Sequence, residues 1–108
     1  MRVNEHGVVL EGCTEVSLYD NGKSYFRYEY IEHKGRIYSS KSFIVNEKGV
    51  CSGVCGSVSV DHDNYFATVN DADAHYRKQA LRFLKRNGHE DTINKIKPFL
   101  IKNQLTLF

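Results

Sequence analysis

Short stretches rich in β-branched and aromatic residues, separated by turns that contain Gly, fill the first two-thirds of this 108-residue sequence. The clearest are residues 14–19, 24–32 and 36–45, which read TEVSLY, SYFRYEYIE and RIYSSKSFIV. Asn21-Gly22 and Lys34-Gly35 lie between them, and dipeptides of this kind are typical of tight hairpin turns. The pattern therefore predicts two antiparallel hairpins.

Two further segments extend the strand-rich part of the chain. A turn over residues 46–49, NEKG, leads into the small-residue stretch VCSGVCGSVSV, and residues 65–69 predict a final strand. On a strand at residues 50–60, Cys51 and Cys55 share one face with Gly53. We expect that face of small residues to pack closely beneath a helix.

The alternation stops near residue 70, where helical spacing begins. Asn70 is a suitable N-cap, and an apolar face recurs at helical intervals through Tyr76, Ala80, Phe83 and Leu84. Gly88 is a natural residue to end this helix. The sequence predicts that the apolar face packs on the sheet.

A second helical segment follows and contains the only proline of the chain. Its apolar face comprises Ile93, Ile96, Leu100 and Ile101, and Pro98 is expected to kink or interrupt it. The predicted fold class is therefore α+β. An antiparallel sheet of three to five strands carries one helix on one face, followed by a Pro-interrupted C-terminal helical segment. We assign residues 1–103 to a single domain and residues 104–108 to a separate tail.

Composition sets broad limits on function. The chain is 41% hydrophobic and 26% charged, with a formal net charge of +2, as in ordinary globular proteins. A mildly positive charge permits contact with phosphate groups without requiring it. The odd number of cysteines and the lack of a sustained apolar stretch near residue 1 predict a cytoplasmic protein with reduced thiols.

The last five residues carry the most specific motif. Gln104, Leu105, Leu107 and Phe108 match the pentapeptide Gln-Leu-(Ser/Asp)-Leu-Phe, and Thr106 replaces the preferred Ser or Asp. The tail thus resembles the bacterial sliding-clamp-binding motif, which implies a bacterial DNA polymerase sliding clamp as the partner. In that motif the Leu-Phe pair fills an apolar pocket and the Gln makes hydrogen bonds. The alternative is that these apolar side chains continue the face of Ile101 and dock on the domain itself.

Arginine and tyrosine residues alternate on the strands in a way that suits contact with nucleic acid. If the helix covers Phe26, Tyr28 and Tyr30, the other face of the sheet displays a mixture of cations and aromatic rings. A basic stripe on the outward side of the helix, with Arg77 beside it, adds to this set. The candidate DNA-binding residues are Tyr25, Arg27, Arg36, Tyr38, Lys78, Arg82, Lys85 and Arg86. The pattern weakly resembles the AP2-type and integrase arm-binding DNA modules, which are three-stranded sheets backed by one helix.

Metal and catalytic sites are weaker interpretations. Cys51 and Cys55 with His62 and His75 have a looser spacing than most zinc modules, and residues 61–64, DHDN, are typical of a solvated turn. We therefore predict no metal, no cofactor and no catalytic residue. The function expected is a small accessory protein of bacterial or phage DNA replication, repair or recombination that binds the clamp and DNA. The alternatives are a clamp-occupying inhibitor without DNA binding and a metal-dependent nuclease recruited by the clamp.

Overall fold

The chain forms a four-stranded antiparallel sheet, a small separate hairpin and two helices, which confirms the predicted α+β class. The computed structural model describes residues 2–61 and 63–105, except for the side chains of residues 99 and 101–105. The elements in chain order are β1 (Arg2–Val3), β2 (Val9–Glu11), β3 (Thr14–Asp20), β4 (Tyr25–His33), β5 (Arg36–Glu47), β6 (Val50–Cys55), α1 (Val69–Arg86) and α2 (Glu90–Leu105).

The main sheet is a meander in the order β3-β4-β5-β6. The predicted hairpin turns are present, and Lys34 and Gly35 both have positive φ, at 54° and 75°. The register pairs Phe26 with Phe43 and Tyr28 with Lys41. We call the face that carries these four residues the inner face, and the opposite face the outer face.

Both helices pack against the sheet on the inner face. Tyr76, Ala80 and Leu84 of α1 are buried with Phe26 and Phe43 in one core, as the helical spacing predicted. The helix α2 adds the predicted side chains of Ile93, Ile96 and Leu100. Among the residues that the structure describes, no helix has the length and apolar character needed to cross a membrane.

The helix α2 runs through Pro98, so the expected interruption there is wrong, whereas the alternative expectation of a kink stays a prediction. Proline removes one backbone hydrogen bond and crowds the carbonyl of residue i−4, which is Asn94 here. Both Pro98 and Asn94 are exposed, so water can satisfy the carbonyl that loses its partner. The buried residues on the other side of the helix hold the element together.

The start of α1 also differs from the prediction. Thr68, not Asn70, is the N-cap, and its hydroxyl accepts a hydrogen bond of 3.1 Å from the Asp71 amide. Residues 65–69 form no strand; Phe66 makes a single bridge to Ile37 through two hydrogen bonds of 2.9 Å. This bridge fixes the chain at Phe66, two residues before Thr68, and the helix then begins at Val69.

A second, smaller core covers part of the outer face and was not predicted. Ile31 and Tyr38 are buried there beneath Val58, with Val9 packed against them. The Val9 amide donates to the Val58 carbonyl at 2.8 Å, so the hairpin β1–β2 is joined to the segment that follows β6. These long-range contacts leave no local periodicity in the sequence.

The cysteines lie on the side opposite to the predicted one. Cys51 and Cys55 pair with Asn46 and Ser42 on the outer face, and both are exposed. The register of β6 turns Ser52 and Val54 toward the helices instead. The expectation that the cysteine face packs beneath a helix is therefore wrong.

Candidate nucleic-acid interface

The two sets of predicted DNA-binding residues lie on opposite sides of the molecule. Tyr25, Arg27 and Arg36 belong to the outer face of the sheet, whereas Lys78 and Arg82 project from the helix that covers the inner face. The sheet and the helix layer separate them. The structure therefore does not bring the two sets together into one surface.

On the outer face, each arginine is engaged by side chains of its own chain. The Arg27 guanidinium donates to Glu15 Oε1 at 3.0 Å and lies 3.8 Å above the Tyr25 ring. Arg36 lies 4.4 Å above the ring of Tyr65. A phosphate group would have to compete with Glu15 for Arg27, which weakens the outer face as an anion-binding surface.

Tyr38 is not displayed on the outer face, contrary to the prediction. Its side chain is only 3% exposed, because Val58 and the β1–β2 hairpin cover this part of the sheet. The parity of Tyr38 along β5 was predicted correctly. The covering layer was not visible in the strand pattern, so the accessibility of this residue was wrong.

The basic stripe of α1 is exposed as predicted. It comprises Lys78, Arg82, Lys85 and Arg86. Within the described part of the chain, none of these four side chains has an ion-pair partner. Cations that are not neutralised by neighbours are available to phosphate oxygens.

Arg77, expected beside this stripe, is instead buried, with 9% of its surface exposed. Its Nε donates to Asp73 Oδ2 at 2.6 Å, and the Tyr28 hydroxyl donates to Asp73 Oδ1 at 2.6 Å. Burial, followed by the hydrogen bond with Asp73, raises the pKa of Tyr28 above its ordinary value. This cluster ties α1 to β4, and thereby fixes which side of the helix faces outward.

One edge of the basic stripe borders a groove between α1 and the sheet. The groove has a volume of about 260 Å³. It is lined by Lys41, Val54, Gln79, Arg82, Phe83, Arg86 and Asn87. Lys41 comes from the inner face of β5 and donates to Gln79 Oε1 at 3.5 Å. Three cations and no carboxylate line this groove, so its charge suits an anionic ligand.

Lys41 was missed as a candidate residue. It shares the inward parity of Ile37, Phe43 and Val45 along β5, where a buried apolar residue would be ordinary. A lysine within this inward-facing series is the signal that could have identified it. Its position beside α1 became clear only once the helix was placed on the sheet.

A second, larger cavity lies next to the groove along the same seam. It has a volume of about 510 Å³ and is lined by Ser39, Asp63, Asn64, Tyr65, Phe66, His75 and Tyr76. The Phe66 and His75 rings are 5.1 Å apart between centroids. Ser39 and Tyr76, which both line the cavity, are joined by a hydroxyl–hydroxyl hydrogen bond of 2.7 Å.

The pKa of His75 is affected by burial and by the positive charges between α1 and the sheet. Partial burial, and then the charges of Lys41, Arg82 and Lys78, lower the pKa of its imidazole below the ordinary value. The ring is therefore predominantly neutral at neutral pH. The cations of α1 and β5 thus act on a common region of space.

The weaker metal interpretations gain no support from the geometry. Cys51 and Cys55 lie on the outer face, while His75 lies on the helix side. Within residues 2–61 and 63–105, no three His, Cys, Asp or Glu side chains are grouped as metal ligands would be. His62, named with these cysteines as a possible zinc ligand, lies outside the described residues.

The clamp-like tail is only partly covered by the structure. The backbone of Gln104 and Leu105 belongs to the last turn of α2, and the side chains of both lie outside the described part. Thr106, Leu107 and Phe108 also lie outside the described residues. Whether this segment docks on the domain or binds a partner stays a prediction, as does the division between residues 1–103 and 104–108.

Comparison with known proteins gives no independent assignment. No protein-family model matches the chain, and no curated protein and no solved structure is significantly similar to it.

Proposed function

We propose that this protein is a small DNA-binding accessory protein that a bacterial-type sliding clamp recruits through Gln104, Leu105, Leu107 and Phe108. The observation that carries the DNA-binding part is the cationic groove of Lys41, Arg82 and Arg86. The clamp-binding part rests on the sequence match of the tail. The groove replaces the outer face as the proposed DNA-binding surface.

The charge of the groove is the main argument for a nucleic-acid ligand. Phosphate contacts supply most of the affinity in non-specific DNA binding, and they come mainly from arginine and lysine side chains. On the outer face, by contrast, Arg27 is paired with Glu15, and Glu29 is exposed on the same strand. Among the described residues, the exposed side of α1 thus carries four cations without an ion-pair partner: Lys78, Arg82, Lys85 and Arg86.

Two double variants with equal change in charge distinguish these surfaces. We expect Arg82→Ala with Arg86→Ala to weaken binding to DNA about tenfold or more at low salt, and to reduce the salt slope by about 1 per lost phosphate contact. Arg27→Ala with Arg36→Ala is the matched control and should change affinity little. Fluorescence anisotropy with a labelled oligonucleotide at several salt concentrations measures both.

Equal losses in the two variants, or a larger loss in the control, would contradict the assignment of the groove. No DNA binding by the unmodified protein would eliminate the DNA-binding part altogether. Clamp binding without DNA binding would then favour the alternative of a clamp-occupying inhibitor.

The tail is supported by the match of its sequence to the clamp-binding motif. A short peptide gains most of its affinity from a few apolar anchors buried in a partner's pocket. Leu107 and Phe108 are the anchors that the motif supplies.

We expect Leu107→Ala with Phe108→Ala to weaken binding to a purified bacterial sliding clamp about 100-fold or more, since two buried apolar anchors are lost. Lys102→Ala with Asn103→Ala, just before the motif, is the control and should bind as the unmodified protein does. Surface plasmon resonance on immobilised clamp gives the affinities. Equal binding by the two variants would contradict the motif. The motif would also be contradicted if the unmodified chain did not bind the clamp and Leu107→Ala with Phe108→Ala lowered the thermal stability.

A further inference from the structure

The aromatic cavity beside the groove has the size and lining of a site for a flat ring. Its volume of about 510 Å³ is within the usual range for small-molecule sites. Phe66 and Tyr76 form part of its wall, with ring centroids 6.1 Å apart. The His75 ring lies against both, 5.1 Å from each, and is exposed. We call this space the aromatic cavity.

We propose that the aromatic cavity accepts one unpaired nucleobase while the cationic groove holds the adjoining phosphates, so that the protein prefers single-stranded to double-stranded DNA. This inference rests on the proposed DNA binding and adds the form of the ligand. Nucleobases stack on aromatic and histidine rings, and such stacking tolerates any base.

The distance between the aromatic cavity and the cationic groove fits one nucleotide. Ser39 in the cavity and Lys41 in the groove are two residues apart on the inner face of β5, a distance of about 7 Å. On α1, His75 and Gln79 are one turn apart, about 6 Å along the helix axis. A base held in the cavity therefore places its sugar and phosphate toward the groove.

The charges give the ligand a direction. Asp63 lines the cavity, and its carboxylate repels phosphate but accepts hydrogen bonds from the N–H groups that every base edge carries. Lys41, Arg82 and Arg86 line the groove and attract phosphate. The polar base edge and the charged backbone are thus drawn to different ends of the same seam.

A base in a duplex cannot enter this cavity without leaving its stack and its partner strand. Extruding a paired base costs a few kcal/mol, whereas a base in a single strand is already accessible. A site of this kind distinguishes single from double strands without reading sequence. Phosphate contacts alone would not give that preference.

The experiment compares three labelled ligands of equal length: a mixed-sequence single strand, its duplex, and a single strand in which abasic sites replace the central bases. We expect the intact single strand to bind most tightly. His75→Ala should weaken only that ligand, by about 5- to 100-fold, and should leave the salt slope unchanged because a neutral ring is removed. Tyr25→Ala, which removes an aromatic ring from the outer face, is the control.

Phe66→Leu provides a second variant that keeps an apolar side chain in the wall but removes the ring. Equal affinity for the three ligands, with no effect of His75→Ala or Phe66→Leu, would overturn the nucleobase site and leave DNA binding by the groove intact. The double variant Arg82→Ala with Arg86→Ala tests the groove separately, and we expect it to bind all three ligands more weakly. Failure of the unmodified protein to bind any of the ligands would overturn both proposals.

Discussion

Gly88 ends α1 with a conformation that other residues adopt only at a cost. Its φ is +73°, and its amide donates to the Lys85 carbonyl at 3.3 Å. The next amide, that of His89, donates to the Leu84 carbonyl at 3.0 Å, which completes a Schellman-type end. Residue 88 thus determines the angle at which the chain leaves α1 and enters α2.

We expect Gly88→Ala to lower the free energy of unfolding by about 1 kcal/mol, because an L-residue is strained at this φ. A Cβ here would meet no atom within 4 Å, so the loss is conformational and not steric. Gly88→Asn is the matched variant and should lose less, since asparagine tolerates the left-handed region. Urea unfolding followed by circular dichroism measures the difference; an alanine variant as stable as the glycine protein would contradict it.

At the level of elements, one buried histidine joins α1, α2 and the β5–β6 hairpin. His89 is 2% exposed; its Nδ1 lies 3.0 Å from Glu47 Oε2 and its Nε2 lies 2.9 Å from Ser52 Oγ. Its carbonyl accepts the Ile93 amide at 3.0 Å in the first turn of α2. Glu47 also accepts the Thr92 amide at 2.8 Å, so the hairpin caps the helix.

This junction makes stability depend on pH. Burial acts to raise the pKa of Glu47, but the hydrogen bonds from Thr92 and His89 outweigh it, and the pKa lies below its ordinary value of 4.5. The folded protein therefore favours the carboxylate. Its contribution to stability is fully present above pH 4.5 and is lost as the pH falls through the lowered pKa.

We expect Glu47→Gln to be less stable than the unmodified protein at pH 7, and the difference to shrink as the pH is lowered toward 3. Glu29→Gln, an exposed carboxylate on the outer face, is the control and should show little difference at either pH. Thermal unfolding at both pH values checks this. A stability difference for Glu47→Gln that stays constant with pH would contradict the assigned role of the carboxylate.

Across the whole molecule, the features set by local sequence were predictable and those set by distant contacts were not. The alternation around Phe26 and Phe43 predicted the meander and its inner face, because period-2 burial leaves a direct trace in the sequence. The spacing of Tyr76, Ala80 and Leu84 predicted α1 for the same reason. Thr68 replaced Asn70 as the N-cap because a bridge to Ile37, nearly thirty residues away, fixed the chain before it.

The candidate site was predictable only in part. The exposed cations of α1 follow from helical periodicity, and the structure places them as expected. The groove does not follow from helical periodicity, because it needs Lys41 from β5. The aromatic cavity does not follow from it either, because it needs Phe66 from a loop. On the outer face, the pairing of Arg27 with Glu15 and the covering of Tyr38 by Val58 depend on which strands and loops become neighbours.

The hairpin β1–β2 closes over the outer face through residues that are far apart in the chain. Val9 binds Val58, and the Gly7 carbonyl accepts the Val60 amide at 2.9 Å, so the contact encloses the whole meander between its two ends. Closing so long a loop is entropically unfavourable until the meander has formed. We therefore expect the outer layer to open before the core beneath the helices does, and such an opening would expose Tyr38 to solvent.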